Sequence, residues 1–328
     1  MIYPEKLKKN DLIEIISPSN GVKNNQLEKY ENGLKKLINY GFRIVEDKYV
    51  RESIKGASST AINRAKELNS AITNKDVKAL IACSGGDYIV QILDLINFEQ
   101  IVQNVKWLQG HSDITALLFY ITTKYDIATI YSFNAKSFGN KSLPEIMIKN
   151  NINFIKGKNP IQMEFGYKIK EKKINKPWKY IKNDDVIEGR IIGGCLDSLK
   201  DIIGTKYDNV KNFIEKYKSN GIVWYFDVAE LTNEDILRTM WQLKSAGWFK
   251  DCRGILFGRI ENEISYTNIS LADAINYNFK DFNIPIIMNV DIGHTAPVFT
   301  IINGSKVKIS KSEIDNKHIL ETMFEWKY

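Results

Sequence analysis

Hydrophobic and polar positions alternate between two periods along the first half of the chain. The apolar run at residues 12–16 is typical of a buried strand. The next apolar positions follow at helical spacing and are Leu27, Tyr30, Leu34, Leu37 and Ile38. The same succession of apolar runs and amphipathic segments continues at residues 42–45, 59–72, 77–82, 88–95, 105–109 and 114–123. Repeated strand–helix units predict an α/β fold with a mostly parallel sheet flanked by helices.

Residues 154–185 interrupt this pattern, because they are rich in Lys and Asn, weakly periodic and broken by Pro160 and Pro177. The interruption predicts a linker at 154–185. An N-terminal α/β domain would then occupy residues 1–153, and a smaller C-terminal α/β domain, rich in strands, residues 186–328.

The C-terminal domain has apolar runs and amphipathic segments of its own. They predict strands at residues 186–192, 222–226 and 254–257, and helices at residues 234–245 and 271–277. Near the end of the chain, two further apolar runs flank Asn303-Gly304. This dipeptide between two strands predicts a β-hairpin formed by residues 298–302 and 306–309.

Composition narrows the class of protein. With 328 residues, 44% of them hydrophobic, the chain can build a sizeable core. The net charge of +7 comes from scattered lysines, which favours a solvated basic surface over nucleic acid binding. Three cysteines cannot all pair, and with only three histidines they suggest no metal site. We find no long apolar segment of the kind that forms a signal peptide or a membrane span. We therefore expect a soluble, cytoplasmic protein.

The segment at residues 105–115 is a candidate for carrying a nucleophile. It predicts a strand, a tight turn containing Gly110 and a helix that starts near Asp113. Such a turn would present Ser112 at a helix N-terminus, where backbone N–H groups and the helix dipole stabilise developing negative charge. The alternative is that Ser112 and Asp113 only cap the helix. The segment differs from the Gly-x-Ser-x-Gly motif of α/β-hydrolases.

A serine nucleophile needs a base, and the chain contains only His111, His294 and His318. A tight turn would point His111 away from the adjacent Ser112, and the charged surroundings of His318 predict a surface position. His294 follows the apolar run at 286–290 and is therefore the predicted base. The alternative is an ordinary polar residue of a surface loop.

Two further loops carry candidate residues. Asp227 directly follows the apolar run at 222–226, and Glu230 lies three residues later; either carboxylate could orient an imidazole, or could merely cap the next helix. Gly85 and Gly86 join another strand to another helix, and such glycines let backbone N–H groups approach a substrate oxyanion.

Taken together, these segments resemble the LD-carboxypeptidase family of serine peptidases, peptidase family S66, over nearly the whole chain. The family includes the muramoyl-tetrapeptide carboxypeptidases and the microcin immunity peptidases. The segments that carry the resemblance are Ile15-Ile-Ser-Pro-Ser19, Gly85-Gly-Asp-Tyr88, Gly110-His-Ser-Asp-Ile-Thr-Ala-Leu117, Gly189-Arg-Ile-Ile-Gly-Gly-Cys-Leu196, Gly204-Thr-Lys-Tyr207, the Asp227 strand, residues 238–247 and Gly293-His294.

The resemblance implies roles for these residues. Ser112 matches the nucleophile and His294 the base, and the oxyanion and substrate-binding positions are Gly85, Gly86, Asp87 and Asp113. The family's acid is a glutamate that ends a strand. Counting from the two flanking motifs puts either Phe226 or Asp227 at that position, so Asp227 is expected first and Glu230 second. Cys195 stands where the family commonly has asparagine.

The resemblance also implies hydrolysis without a metal or cofactor, and often a homodimer. The expected substrate is a small peptide whose C-terminal D-amino acid is removed from an L-centre, as in the recycling of peptidoglycan muropeptides. One alternative is a microcin-immunity-like peptidase that cleaves an aminoacyl-nucleotide conjugate; Trp178 could stack on the base there, although a tryptophan packed on the surface is the more common case. Others are a non-catalytic binding protein of the same fold and an ordinary esterase of the α/β-hydrolase fold.

Overall fold

The computed structural model describes residues 1–166, 168–169, 174–260 and 263–325. The chain divides into two compact units. Unit 1 consists mainly of Met1–Asn159 and includes Thr300–Asn303. Unit 2 consists mainly of Pro160–Phe299 and Gly304–Phe324.

The helices and strands alternate through most of the chain. The α-helices are α1 (Leu27–Asn39), α2 (Ala61–Thr73), α3 (Phe98–Gln103), α4 (Thr115–Tyr125), α5 (Ala135–Phe138), α6 (Glu145–Ile155), α7 (Leu196–Leu199), α8 (Val210–Tyr217), α9 (Asn233–Ser245) and α10 (Leu271–Asn276). Within the described ranges, none of these helices has both the length and the hydropathy needed to cross a bilayer.

The strands form two large sheets and one short ribbon. They are β1 (Leu12–Ile16), β2 (Arg43–Glu46), β3 (Val77–Ala82), β4 (Trp107–Gly110), β5 (Thr129–Tyr131), β6 (Gln162–Met163), β7 (Lys168–Ile169), β8 (Ile174–Asn175), β9 (Lys179–Lys182), β10 (Ile187–Cys195), β11 (Ile222–Asp227), β12 (Cys252–Gly258), β13 (Ile286–Val290), β14 (Ile301–Asn303), β15 (Lys306–Lys311) and β16 (His318–Met323).

Unit 1 is built on a six-stranded sheet in the order β14-β5-β4-β3-β1-β2. All neighbouring strands are parallel except β14, which pairs antiparallel with β5. The strand order reverses between β1 and β3, and in open α/β sheets the carboxyl ends of strands at such a point form the ligand crevice. The loops after β1 and β3 touch there, because the N–H of Asn20 donates to the carbonyl of Gly85 at 3.1 Å.

Unit 2 is built on an eight-stranded mixed sheet in the order β6-β16-β15-β10-β11-β12-β13-β9. Its centre, β10 to β13, is parallel and fully buried along β11. The outer strands pair antiparallel. Together the two units confirm the predicted α/β fold class, a mostly parallel sheet with helices followed by a strand-rich domain.

Three local predictions differ from the structure. Residues 154–185 were expected to be a linker, yet α6 continues to Ile155, and β6 and β9 are the two outermost strands of the unit 2 sheet. The remainder of that segment lies partly outside the described residues. Residues 88–95 were expected to form a helix, and they form two single 3₁₀ turns, Ile89–Gln91 and Leu93–Leu95.

The hairpin predicted around Asn303-Gly304 is wrong. β14 pairs with β5, while β15 pairs with β10 and β16. Asn303 is fully buried and its side chain donates to Thr129 Oγ1 at 3.3 Å, so this residue belongs to the core and not to a solvated turn. A favourable dipeptide was outweighed by longer-range strand pairing.

Helices α1 and α5 approach so closely that residue 33 has to be glycine. A Cβ atom added to Gly33 would lie 2.4 Å from the carbonyl oxygen of Ala135. We therefore predict that Gly33→Ala lowers the free energy of unfolding by about 1–3 kcal/mol, the usual effect of overpacking. Urea unfolding followed by circular dichroism would measure this change.

Helix propensity makes the opposite prediction, since alanine in place of glycine stabilises an exposed helix by about 1 kcal/mol. The matched control is Lys35→Ala at an exposed position of α1, which should change stability by less than about 0.5 kcal/mol. If Gly33→Ala proves more stable than the wild type, α1 and α5 do not pack as closely as described.

Candidate active site

Ser112 lies on a sharp turn at the end of β4. Its backbone φ is +67°, in the left-handed region that serine rarely adopts. It also begins the 3₁₀ turn Ser112–Ile114 that leads into α4. The N–H of Ser112 donates to the hydroxyl of Tyr131 at 3.3 Å, and the N–H of His111 donates to Asn134 Oδ1 at 3.1 Å. Such strain costs about 1–3 kcal/mol and is concentrated at functional sites.

The loop after β3 lies directly against the Ser112 side chain. A Cβ atom added to Gly85 would lie 2.8 Å from the Cβ and 3.0 Å from the Oγ of Ser112, so only glycine fits there. The N–H groups of the next two residues, Gly86 and Asp87, donate to no acceptor among the described residues. The loop therefore provides available backbone donors close to the serine.

Asp113 was expected to contact substrate, and its carboxylate instead makes internal contacts. It is buried, and Oδ2 accepts hydrogen bonds from the Ser19 hydroxyl and from the N–H of Ile89 at 2.8 Å. Burial raises the pKa of Asp113, and the bond from Ser19 opposes that shift. Asp113 thus ties the loops that follow β1 and β3 to the turn that carries Ser112.

Asp227 is the last residue of β11, where side chains alternate between the two faces of the sheet. The rings of Trp224 and Phe226 stack on one face, with centroids 5.9 Å apart and an interplanar angle of 6°. Phe226 therefore packs in the aromatic core. Asp227, one residue on, points to the opposite face and is fully buried.

Asp227 makes two contacts with His294. Its Oδ2 lies 2.7 Å from Nδ1 of the imidazole, and its Oδ1 accepts the backbone N–H of His294 at 3.2 Å. About one third of the His294 side chain, 32%, is exposed, in contrast to 1% of the Asp227 side chain. The bond fixes the proton on Nδ1, so the lone pair of the neutral ring is on Nε2.

Opposing effects set the pKa of His294. Burial lowers it, since the imidazolium loses hydration. The charge of the Asp227 carboxylate and its hydrogen bond to Nδ1 outweigh this effect, with smaller contributions from Asp197 and Glu230. The pKa is therefore raised above the ordinary value of 6.5.

The ion pair of Arg259 and Asp291 stabilises the loop that carries His294. The guanidinium of Arg259 donates to the carboxylate of Asp291, and the carbonyls of Thr295 and Pro297 accept from its Nη1 at 3.1 and 3.4 Å. Arg259 thereby contacts the loop on both sides of His294. Both charged side chains are buried, at 1% and 0% exposed.

Gly293 allows the His294 loop to approach Asp227. A Cβ atom added there would lie 2.0 Å from Asp227 Oδ1, and the φ of Gly293 is +103°. Cys195 pairs with Asp227 across β10 and β11, and its Sγ lies within 4.8 Å of an Asp227 carboxylate oxygen. Sequence reasoning marked Gly293 and Cys195 only through the family resemblance.

Glu230, the second candidate acid, is exposed, and no hydrogen bond joins its carboxylate to His294 within the described chain. Its N–H donates instead to Asp197 Oδ1 at 2.9 Å, and the same carboxylate accepts the N–H groups of Ala229 and Leu231 at 3.0 and 3.2 Å. Asp197 thus shapes the loop after β11.

Sequence reasoning missed Arg259, Asp291 and Asp197. Asp291 directly follows the apolar run at 286–290, which is the same signal that identified Asp227, so that signal would have found it. Arg259 comes one residue later, because Gly258 separates it from the run at 255–257, and it carries the signal less clearly. Asp197 lies inside a helical segment and carries no comparable signal.

The other two histidines make contacts of their own. The ring of His111 is edge-on to Tyr131, with centroids 6.4 Å apart. His318 was interpreted as a surface residue, and that interpretation is wrong. It is buried in β16, with Nδ1 2.6 Å from Glu164 and its ring stacked on Trp178 at 4.8 Å.

A metal ion could reach only one group of side chains in the described ranges. A ligand atom from each of Cys195, Asp227 and His294 lies within 4.8 Å of the others, and zinc uses these residue types. Asp227 and the Nδ1 of His294 already bond to each other, however, so a metal would have to displace that hydrogen bond. The geometry fits a hydrogen-bonded acid–base pair better than a preformed metal site.

Comparison with known proteins gives consistent matches over the chain. Residues 13–132 match the LD-carboxypeptidase N-terminal domain, and residues 188–309 match the LD-carboxypeptidase C-terminal domain. The microcin C7 self-immunity protein MccF of Escherichia coli is 26% identical over 311 residues, 89% of this chain and 87% of that protein.

Two solved structures illustrate the similarity of fold. An MccF-like protein from Bacillus anthracis matches with a TM-score of 0.82 and 25% identity, covering 98% of this chain and all of that one. A muramoyltetrapeptide carboxypeptidase from Oxalobacter formigenes matches with a TM-score of 0.76 and 18% identity, covering 95% and 99% of the two chains.

The pKa of His294 can be measured directly, because three histidines give few imidazole signals in a ¹H–¹³C NMR titration. We predict that His294 titrates above 6.5, since the Asp227 carboxylate stabilises the imidazolium. Asp227→Asn should lower this pKa, because burial then acts without the opposing charge. Glu230→Gln is the matched control and should lower it less. A His294 pKa that is unchanged in Asp227→Asn would contradict the described contact.

Removing Arg259 should destabilise the protein, because it leaves the buried Asp291 carboxylate without its counterion. We predict that Arg259→Met lowers the free energy of unfolding by about 3–5 kcal/mol. The double variant Arg259→Met/Asp291→Asn should recover part of this loss, since no unpaired buried charge remains. Urea unfolding of the two single variants and the double variant measures the coupling. Additive losses would mean that the two side chains act independently.

Proposed function

Since the chain belongs to the LD-carboxypeptidase family, we propose that it is a serine peptidase that removes a C-terminal D-amino acid from an L-centre, with a muropeptide tetrapeptide as substrate. The observation that carries the proposal is the bond between Asp227 and Nδ1 of His294, which leaves Nε2 as a proton acceptor. We assign Ser112 as the nucleophile, His294 as the general base and Asp227 as the acid that orients it.

In the first step, Nε2 of His294 takes the hydroxyl proton of Ser112, and Oγ bonds to the carbonyl carbon of the L-residue. The carbonyl electron pair moves to oxygen and forms a tetrahedral oxyanion. Backbone N–H groups of Gly86 and Asp87 would stabilise this charge, because they lack acceptors within the described chain and lie close to Ser112.

In the second step, the imidazolium gives its proton to the amide nitrogen and the carbon–nitrogen bond breaks. The D-amino acid leaves, and the L-centre stays bound to Ser112 as an ester. A water molecule then attacks that ester and loses a proton to Nε2 of His294. When the second tetrahedral intermediate collapses, the proton returns to the Ser112 oxygen and the shortened peptide leaves.

A second candidate function is hydrolysis of an aminoacyl-nucleotide conjugate. It is favoured by the similarity to MccF, whose structures include complexes with adenosine monophosphate and with aspartyl sulfamoyl adenosine. The residue that could have stacked on the base does not support it. Trp178 is 6% exposed, its indole N–H donates to Asp291 at 2.9 Å, and the ring of His318 stacks on it. A nucleobase would need another platform, so we rank the peptide substrate first.

Substitutions at the three assigned residues test the proposal. Ser112→Ala and His294→Ala should each abolish release of D-alanine from a muropeptide tetrapeptide, and the double variant should be no slower than either single one. Asp227→Asn should lower kcat by a factor of about 10²–10⁴, because the orienting acid is lost. In the wild type, kcat/KM should fall as the pH drops through the raised pKa of His294, since only the neutral imidazole accepts a proton.

Glu230→Gln is the matched control and should stay within about threefold of the wild type, because its carboxylate does not bond to the imidazole. An aminoacyl sulfamoyl adenylate assayed in parallel decides between the two candidate substrates. A fluorophosphonate probe that fails to label Ser112, together with no turnover of either compound, would favour a non-catalytic binding protein.

A further inference from the structure

Lys136 lies in unit 1 at the same carboxyl edge of the sheet as Ser112. It belongs to α5, which follows β5, and its Nζ donates to Ser84 Oγ at 2.8 Å and to Gln26 Oε1 at 3.1 Å. Ser84 immediately precedes Gly85, the residue that contacts Ser112. Ser84, which accepts a hydrogen bond from Lys136, is therefore the sequence neighbour of Gly85, which contacts Ser112.

The charge of Lys136 has no counterion among the residues that the structure describes. Its two hydrogen-bond acceptors are neutral, and a lysine ammonium has three donors, so one donor is unused within the described chain. Burial lowers the pKa of Lys136, and repulsion from Lys29 and Lys23 adds to the shift. Neither Lys23 nor Lys29 forms an ion pair with a carboxylate among the described residues. Lys136, with Lys23 and Lys29 near it, therefore forms a local positive charge that is suited to an anion.

The proposed substrate carries an anion at the appropriate place. In a peptide that loses its last residue, the terminal carboxylate carbon is three bonds beyond the scissile carbonyl carbon, and each bond is about 1.3–1.5 Å long. A carboxylate held beside the serine therefore remains within a few ångströms of the reacting carbon. A partly buried ammonium with an unused donor forms strong, charge-assisted hydrogen bonds to such a group.

We propose that Lys136 binds the C-terminal carboxylate of the peptide substrate and so restricts the enzyme to the last residue of the chain; this inference rests on the proposed function. Nothing in the sequence motifs pointed to this residue. The close α1–α5 packing at Gly33 holds the start of α5, and with it Lys136, in a fixed position.

The experiment measures the turnover of two substrates by the wild type and by variants of Lys136 and Lys35. The substrates are a muropeptide tetrapeptide ending in D-alanine and the same peptide with its terminal carboxylate converted to an amide. Lys136→Met should lower kcat/KM for the acid by about 10- to 100-fold, the effect of losing a hydrogen bond between charged groups, and should change the value for the amide by less than about threefold. Lys136→Arg should retain much of the preference for the acid.

Lys35→Met, at an exposed position of α1, is the control for loss of one positive charge and should leave the preference unchanged. Thermal unfolding shows whether each variant is folded, and Lys136→Gln replaces Lys136→Met if the latter is not. A preference for the acid that survives in the folded Lys136→Met or Lys136→Gln variant overturns the proposal.

A binding measurement separates this inference from the proposed function. In a Ser112→Ala background, calorimetry with the two peptides measures affinity without turnover. Tighter binding of the acid that disappears in Ser112→Ala/Lys136→Met supports the role of Lys136 even if the wild type hydrolyses neither peptide. Equal affinities for acid and amide in Ser112→Ala overturn it, whatever the outcome of the activity assays.

Discussion

The hydrogen bond between Asp227 and His294 is the constraint to which the rest of the unit 2 site is fitted. It requires the last side chain of β11 to face away from the aromatic core, and it excludes any side chain at Gly293. The hydrogen bond also requires the irregular loop that carries His294 to keep one conformation. The ion pair of Arg259 and Asp291 meets that requirement by bonding to the loop on both sides of His294. Buried pairs of this kind add little net stability but are costly to break, which suits them to fixing one conformation.

In unit 1, the backbone at Ser112 is also held in one conformation, and that conformation is strained. Ser112 adopts a left-handed conformation that serine rarely takes. Tyr131, Asn134 and the buried Asp113 fix the turn and the loops around it through hydrogen bonds. All of these residues lie in or just after strands, where a parallel sheet brings loop residues of distant sequence together. A rigid sheet therefore supports reactive groups that short loops alone could not orient.

The sequence predicted those features that depend on local pattern. Asp227 stood out because it ends an apolar run, and His294 because the chain offers few histidines. Flanking motifs could not decide between Phe226 and Asp227, since that choice depends on which face of β11 each side chain takes, and the stacking of Phe226 on Trp224 determines it. His318 was misjudged for a related reason. Its neighbours in sequence are charged, while its burial comes from pairing within the sheet and from Glu164, 154 residues away.

The short strand β14 has a consequence for how the protein is made. It completes the unit 1 sheet by covering β5, although unit 2 occupies most of the chain between these two strands. On a ribosome, the sheet of unit 1 cannot close until residue 303 has been synthesised, so folding from the N-terminus stalls with β5 as an open edge. Open strand edges pair with other chains. The nascent protein thus presents an open edge from the synthesis of β5 until that of β14, and a protein cut after residue 159 would keep that edge.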